Sequence, residues 1–198
     1  MQSVLKTLGI GLVAVSGLAI SNVTVADGGT LYTKKLCTTC HGADAKTSIQ
    51  AIYPKLAGQD AEYLAAQTKH IKDKTRTGGQ TGTMVPFTMA LTDADITAIA
   101  GWIASQPSGA KGGDIGGTFA AKGCNNCHGN DGQSKGPGAK NVVPKLAGQN
   151  AEYIIAQTTA IKDGKRSGGN TADMTADKNV QGLTVDDIKA IAADLAGK

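Results

Sequence analysis

The chain has 198 residues, of which 20 are Lys or Arg and 16 Asp or Glu, a net charge of +4. That surplus is scattered, with no basic run longer than two residues, which argues against a nucleic-acid binder. Aromatic residues are only 4% of the chain, so side chains alone are short of core-filling material and something else has to help fill the interior.

Residues 1–26 read as a secretory signal: a short start carrying Lys6, the apolar run "LGIGLVAVSGLAI" (8–20), and a small-residue end at Ala26. The alternative is an uncleaved anchor, but Ser21, Asn22 and Thr24 shorten the apolar part below the roughly 17–25 residues that span a bilayer. Export would place the chain where thiols are oxidised. From Asp27 onward Lys and Arg number 19 against 16 acidic residues, a surplus of three.

From Gly28 the chain says everything twice. "GGTLYTKKLCTTCHGAD" (28–44) recurs as "GGTFAAKGCNNCHGND" (116–131), at an offset of 87 over Cys37, Cys40 and His41. "PKLAGQDAEYLAAQTKHIKDKTRTGG" (54–79) recurs at an offset of 90, and "LTDADITAIAGWIAS" (91–105) at 92. Residues 27–106 and 116–198 are therefore read as two homologous domains, joined by the Pro- and Gly-containing linker 107–115. Units of about 80 residues are marginal on a side-chain core alone.

Within each unit the apolar spacing is helical. Leu31 and Leu36 lead into the cysteines, Tyr63, Leu64, Gln67 and Ile71 form a stripe, and Ile96, Ile99, Ala100 and Ile103 form another. Thr92 with Asp95, and Thr184 with Asp187, carry N-cap signatures. No window sustains a two-residue period, so the fold class expected is all-α.

Four cysteines fall in two C-x-x-C pairs, each followed directly by histidine. A thioredoxin-like redox pair wants a βαβ context that this pattern lacks, and a four-thiolate zinc site has no need of the histidines. Covalent haem attachment uses every member. Cys37 and Cys40, and Cys124 and Cys127, would bond the two vinyl groups of a porphyrin, with His41 and His128 as proximal iron ligands. Two haems would also supply the missing core.

The repeat locates the sixth ligands. The second unit has one methionine, Met174, whose counterpart at an offset of 90 is Met84. Met89 meets Asn179 or Gln181 and His70 meets Ala160, so Met89 reads as packing and His70 as surface. A thioether ligand raises the reduction potential relative to a second imidazole, and two filled axial positions suit electron transfer over bond-making.

Pro54 and Pro144 end loops of 12 and 15 residues after these histidines, where a carbonyl suits fixing the imidazole tautomer. Tyr32 and Phe119 stand five residues before the first cysteine, placed to cross the last helix of the unit, where Trp102 has Asp194 as its counterpart. Tyr63, Tyr153, Lys55, Lys145, Arg76 and Arg166 recur and suit haem propionates, although each basic residue taken singly reads as solvated surface.

On "CTTCHGAD" and "CNNCHGND", the two "PKLAGQ" segments, the paired methionines and the "LTDADI" and "LTVDDI" helices, residues 27–198 resemble the class I c-type cytochromes, specifically the two-haem cytochromes of the c4 type. The resemblance implies two tandem class I domains, each wrapped around one covalent haem c. It implies a periplasmic electron carrier between a quinol-oxidising complex or dehydrogenase and a terminal oxidase, with no nucleic acid and at most loose membrane association. The alternatives are a cytochrome component or dedicated acceptor of a sulfur-compound dehydrogenase, and a dihaem peroxidase. Met174 precedes Thr184 by ten residues where Met84 precedes Thr92 by eight, so the second sixth ligand sits in the longer loop.

Overall fold

The structure, a computed structural model, describes residues 27–198, and the expected secretory leader lies outside the described residues. Among the described residues every regular element is a helix. The first lobe comprises α1 (Gly28–Lys34), α2 (Thr38–His41), α3 (Ala61–Lys72), α4 (Thr81–Thr88) and α5 (Asp93–Ser105). The second comprises α6 (Gly117–Ala121), α7 (Asn125–His128), α8 (Ala151–Lys162), α9 (Ala172–Ala176), α10 (Lys178–Gln181) and α11 (Val185–Ala196).

The last helix of each lobe is the scaffold, and its start is fixed chemically. Thr92 and Thr184 each accept from the main-chain N–H three residues on, while Asp95 and Asp187 bond back to the threonine N–H, a complete capping box. The lysine just before each attachment motif reaches the same aspartate: Lys35 at 3.7 Å from Asp95, Lys122 at 3.0 Å from Asp187. These pairs tie the motif to the start of the scaffold helix.

Hydrogen bonds from the Thr184 main chain and the Lys122 ammonium pull Asp187 from the ordinary 3.8 down to about 2, and the Thr47 and Lys46 N–H groups do the same for Asp44. A carboxylate depressed in the folded state contributes stability above about pH 4 that is lost as pH falls toward 2. Asp187→Asn is therefore expected to flatten the fall in melting temperature between pH 4 and 2, read by thermal denaturation at stepped pH.

α1 and α3 pack on α5, and α6 and α8 pack on α11. Tyr32 and Phe119 are buried at the first of these crossings in each lobe. Tyr32 stacks at 4.8 Å on Trp102 and donates to the Gly42 carbonyl at 2.9 Å, while Asp194, in the Trp102 position, accepts from the Phe119 N–H at 3.0 Å. The two lobes thus solve the same crossing with an aromatic pair and with a hydrogen bond.

Two local features depart from the sequence reading. Leu36 does not continue a helical stripe: it sits 53% exposed with φ 61°, the left-handed region, where its counterpart Gly123 has φ 72°. Holding a branched residue there costs on the order of 1–3 kcal/mol. The methionine segment also differs between lobes. α4 runs unbroken through Met84 despite Pro86, whereas the two extra residues of the second lobe split it into α9 and α10, with Asp177 capping the latter.

Candidate functional site

A cavity of about 520 Å³ runs through both lobes, and all eight residues singled out for haem attachment and ligation line it: Cys37, Cys40, His41 and Met84 in one lobe, Cys124, Cys127, His128 and Met174 in the other. Aliphatic side chains from the scaffold helices, Ile99 and Ile103 facing one end and Ile191 and Leu195 the other, form much of the remaining wall. Met89 is 57% exposed and is not among the lining residues, and His70, on α3, bonds to Thr75 just beyond the end of that helix.

Cys37 and Cys124 begin the single-turn helices α2 and α7, which carry the second cysteine and the histidine three and four residues on. None of the four cysteines pairs with another in a disulfide, which leaves every sulfur available for attachment. Burial pushes the Cys37 and Cys124 thiols of the unloaded chain up to about 11. Cys127 is raised as well, by burial and by the carboxylates of Asp177 and Asp173.

His41 and His128 are buried, which lowers their basicity and keeps the imidazoles neutral. Their Nδ1 atoms lie 3.0 and 3.1 Å from the carbonyl oxygens of Pro54 and Pro144. A carbonyl only accepts, so Nδ1 carries the proton and Nε2 keeps its lone pair free for a metal. The two prolines end their loops at the position that presents this carbonyl.

Between the lobes a pseudo-two-fold clasp joins the two "PKLAGQ" segments. Gln59 accepts from the Lys145 N–H at 2.8 Å and donates to the Lys145 carbonyl at 2.9 Å, and Gln149 does the same to Lys55 at 2.9 and 2.8 Å. Lys55 Nζ and Lys145 Nζ cap the facing carbonyls of Gly148 and Gly58 at 2.8 and 2.7 Å. Asn150 adds a bond that its counterpart Asp60 does not make, donating across the junction to the Tyr53 carbonyl at 2.8 Å, while Asp60 caps α3.

A second layer lies deeper. Arg76 and Arg166 bond the Gln67 and Gln157 side-chain oxygens of their own lobes at 2.9 and 2.7 Å and reach each other's glutamine at 3.4 Å. Gln67 Nε2 also donates to the Gly169 carbonyl at 2.7 Å. A Cβ at Gly79 or Gly169 would collide with the facing Gln157 or Gln67, which explains the glycine at both places. The surface reading of these lysines and arginines is therefore corrected, for Arg166 is only 5% exposed. Repetition of a residue does not reveal that its two copies face each other.

The Nε atoms of Arg76 and Arg166 are buried without a partner, and both arginines line the cavity. A buried unpaired donor costs about 1–3 kcal/mol, more when charged, so the walls fit a guest with anionic ends at the junction. Tyr63 sits beside them, its phenol raised by burial against the opposing pull of Arg166. An apolar chamber, two cysteines and one oriented imidazole per lobe, and unpaired guanidinium donors between the lobes fit a c-type cytochrome with two haems, whose propionates Arg76 and Arg166 would be able to hold.

The cytochrome c family pattern matches residues 25–107 and again 114–195. Cytochrome c-552 of Acidithiobacillus ferridurans is 35% identical over 93% of this chain and 84% of its own length. The thiosulfate dehydrogenase electron acceptor of Stutzerimonas stutzeri (strain A1501) is 32% identical over 90% and 94%. The solved cytochrome c4 of Acidithiobacillus ferrooxidans superposes with a TM-score of 0.67 at 32% identity, covering 84% of this chain and 99% of that one. The chain belongs to the cytochrome c family, as a two-domain, dihaem electron-transfer protein of the c4 type.

Proposed function

We propose that the chain carries single electrons in the periplasm between a quinol-oxidising complex or dehydrogenase and a terminal oxidase. Cys37 and Cys40 hold the first haem and Cys124 and Cys127 the second by thioether bonds. His41 and Met84 bind one iron, His128 and Met174 the other. The domains run over 27–106 and 116–198, with 107–115 as linker and 1–26 removed on export. The observation that carries this reading is the common cavity on which both four-residue sets converge, each histidine oriented by a proline carbonyl.

Bound haem supplies a one-electron ferric/ferrous couple. The residues set how it is used. Met84 and Met174 line the cavity and would fill the iron coordination site that peroxide or oxygen needs, which supports a carrier with no turnover of its own. The neutral imidazoles and the soft thioethers favour the ferrous state, and the glutamine clasp holds the lobes in one arrangement so that both sites face a single junction. The thiosulfate dehydrogenase electron acceptor among its relatives supports a dehydrogenase as donor. Among the described residues no helix is long and apolar enough to cross a membrane.

Coulometric titration of the purified protein is expected to take up two electrons per chain, and the ferric protein to bind cyanide only slowly and to turn over no peroxide. Uptake of one electron, or rapid cyanide binding with peroxide turnover, would favour a peroxidase with an opening site at Met174.

A further inference from the structure

The two lobes present different surfaces around the same cavity. In the first, four large apolar side chains stand out in solvent: Leu36 at 53%, Ile49 at 63%, Phe87 at 39% and Met89 at 57% exposure. Leu36 and Phe87 line the cavity mouth, and the Ile49 N–H bonds the Cys40 carbonyl at 3.1 Å. Their counterparts in the second lobe are Gly123, Gly136, Asp177 and Asn179. The Gly136 N–H makes the equivalent bond to the Cys127 carbonyl at 2.9 Å, so that match is structural as well as sequential.

Charge follows the same division. Residues 77–92, which carry Met84, contain no ionisable side chain, whereas residues 167–184 around Met174 carry Asp173, Asp177 and Lys178. The backbone adds a third, independent sign. At the residue before the first cysteine the fold wants a left-handed conformation, which the second lobe fills with glycine and the first with an exposed leucine. Strain kept at a half-exposed position on the rim of the cavity points to a role for the side chain.

We propose that the first-lobe face formed by Leu36, Ile49, Phe87 and Met89 is the docking surface for a redox protein whose own face is apolar and uncharged, and that the second lobe does not share this partner. The reasoning is complementarity. Charged groups of a partner pressed on this face would lose water with no counter-ion in residues 77–92 to replace it. Electron exchange also falls steeply with distance, and two members of this face, Leu36 and Phe87, line the first cavity. An encounter of this kind is weakly sensitive to salt, because residues 77–92 carry no charge to screen and Lys35, beside Leu36, is paired with Asp95 at 3.7 Å.

The proposal rests on the reading of the chain as an electron carrier, and the test separates the two. The reduced full-length protein is mixed in stopped flow with an oxidised blue-copper protein whose copper edge is ringed by uncharged apolar residues. One electron passes from a ferrous site to Cu(II), giving Cu(I) and a ferric site. The variants exchange first-lobe residues for their second-lobe counterparts: Leu36→Gly, Phe87→Asp, Met89→Asn and the triple. Asp177→Asn is the second-lobe control.

The triple variant is expected to slow the second-order rate constant about tenfold, beyond what the measured change in the first site's potential accounts for, with the second site's potential unmoved. The wild-type rate is expected to change less than about twofold between roughly 20 and 500 mM salt, and Asp177→Asn to leave it alone. Leu36→Gly is expected to melt at or above the wild-type temperature, which a packing role would not allow. A rate unchanged in the triple variant, a steep salt dependence, or a lower melting temperature for Leu36→Gly would overturn the proposal. So would loss, in the triple variant, of binding to phosphatidylcholine vesicles or of a concentration-dependent dimer, since the face would then serve a lipid surface or a second copy. A wild-type protein that leaves the copper oxidised would instead contradict the carrier function.

Discussion

Replacing Cys37, Cys40, Cys124 and Cys127 by serine is expected to give a chain that does not fold cooperatively, with most of its helical circular dichroism lost and no sigmoidal urea transition. The reason is the size of the chamber relative to the stability available. A closed residual void costs roughly 24 cal/mol per Å³, so a chain obliged to keep about 520 Å³ unfilled gives up at most on the order of 12 kcal/mol, less where water enters at the mouth. Whole domains are stable by only about 5–15 kcal/mol.

The buried cores on either side are small. Among the described residues the second is built from Ile115, Phe119, Ile154, Leu183, Ile188, Ile191, Ala192 and Leu195, and Arg76 and Arg166 leave unpaired donors between the lobes. The pairwise variant Cys37→Ser/Cys40→Ser is expected to melt the first lobe and leave the second with a lower transition temperature, because the clasp loses its ordered partner. Retention of a native-like cooperative transition in the fourfold variant would mean that the haems are guests of a preformed fold.

The second large effect is on potential. Met84→His is expected to lower the first haem's reduction potential by on the order of 100 mV, within the ~0.8 V over which axial ligands set haem potentials. At about 59 mV per decade for one electron, that is a shift of more than tenfold in the redox equilibrium. Met89→Leu is expected to leave both potentials and the visible spectrum nearly unchanged, because Met89 lies at the end of α4, exposed and away from the cavity wall. Met174→His is expected to act on the second haem in the same direction. Spectroelectrochemical titration of the three variants checks all of this, and a large change on altering Met89 would reverse the ligand assignment.

The helices, the tandem organisation and the residues that converge on the cavity were legible because the repeat acts as an internal comparison. It paired Met84 with Met174, left Met89 and His70 without counterparts of their kind, and marked Pro54 and Pro144 before any carbonyl was seen to face an imidazole. Capping at Thr92 and Thr184 was legible because the signal is local.

The lobe junction was not. Gln59, Gln67, Gln149 and Gln157 repeat as faithfully as the cysteines, but whether two copies of a residue serve two separate sites or meet across an axis is a property of space, and offset carries no trace of it. The lysines and arginines were misread as surface for the same reason. Leu36 failed differently: an apolar residue in a helical-looking run is indistinguishable by spacing from one held outward, and only its left-handed backbone beside Gly123 reveals the exception.

The account stands on two His/Met-ligated irons per chain, and the most direct test is the near-infrared spectrum of the ferric protein measured per mole of chain. The result expected is the sulfur-to-iron charge-transfer band at the intensity of two haems, with no high-spin band. Absence of that band, or half its intensity beside a high-spin signal, would contradict the ligation assigned to Met84 and Met174.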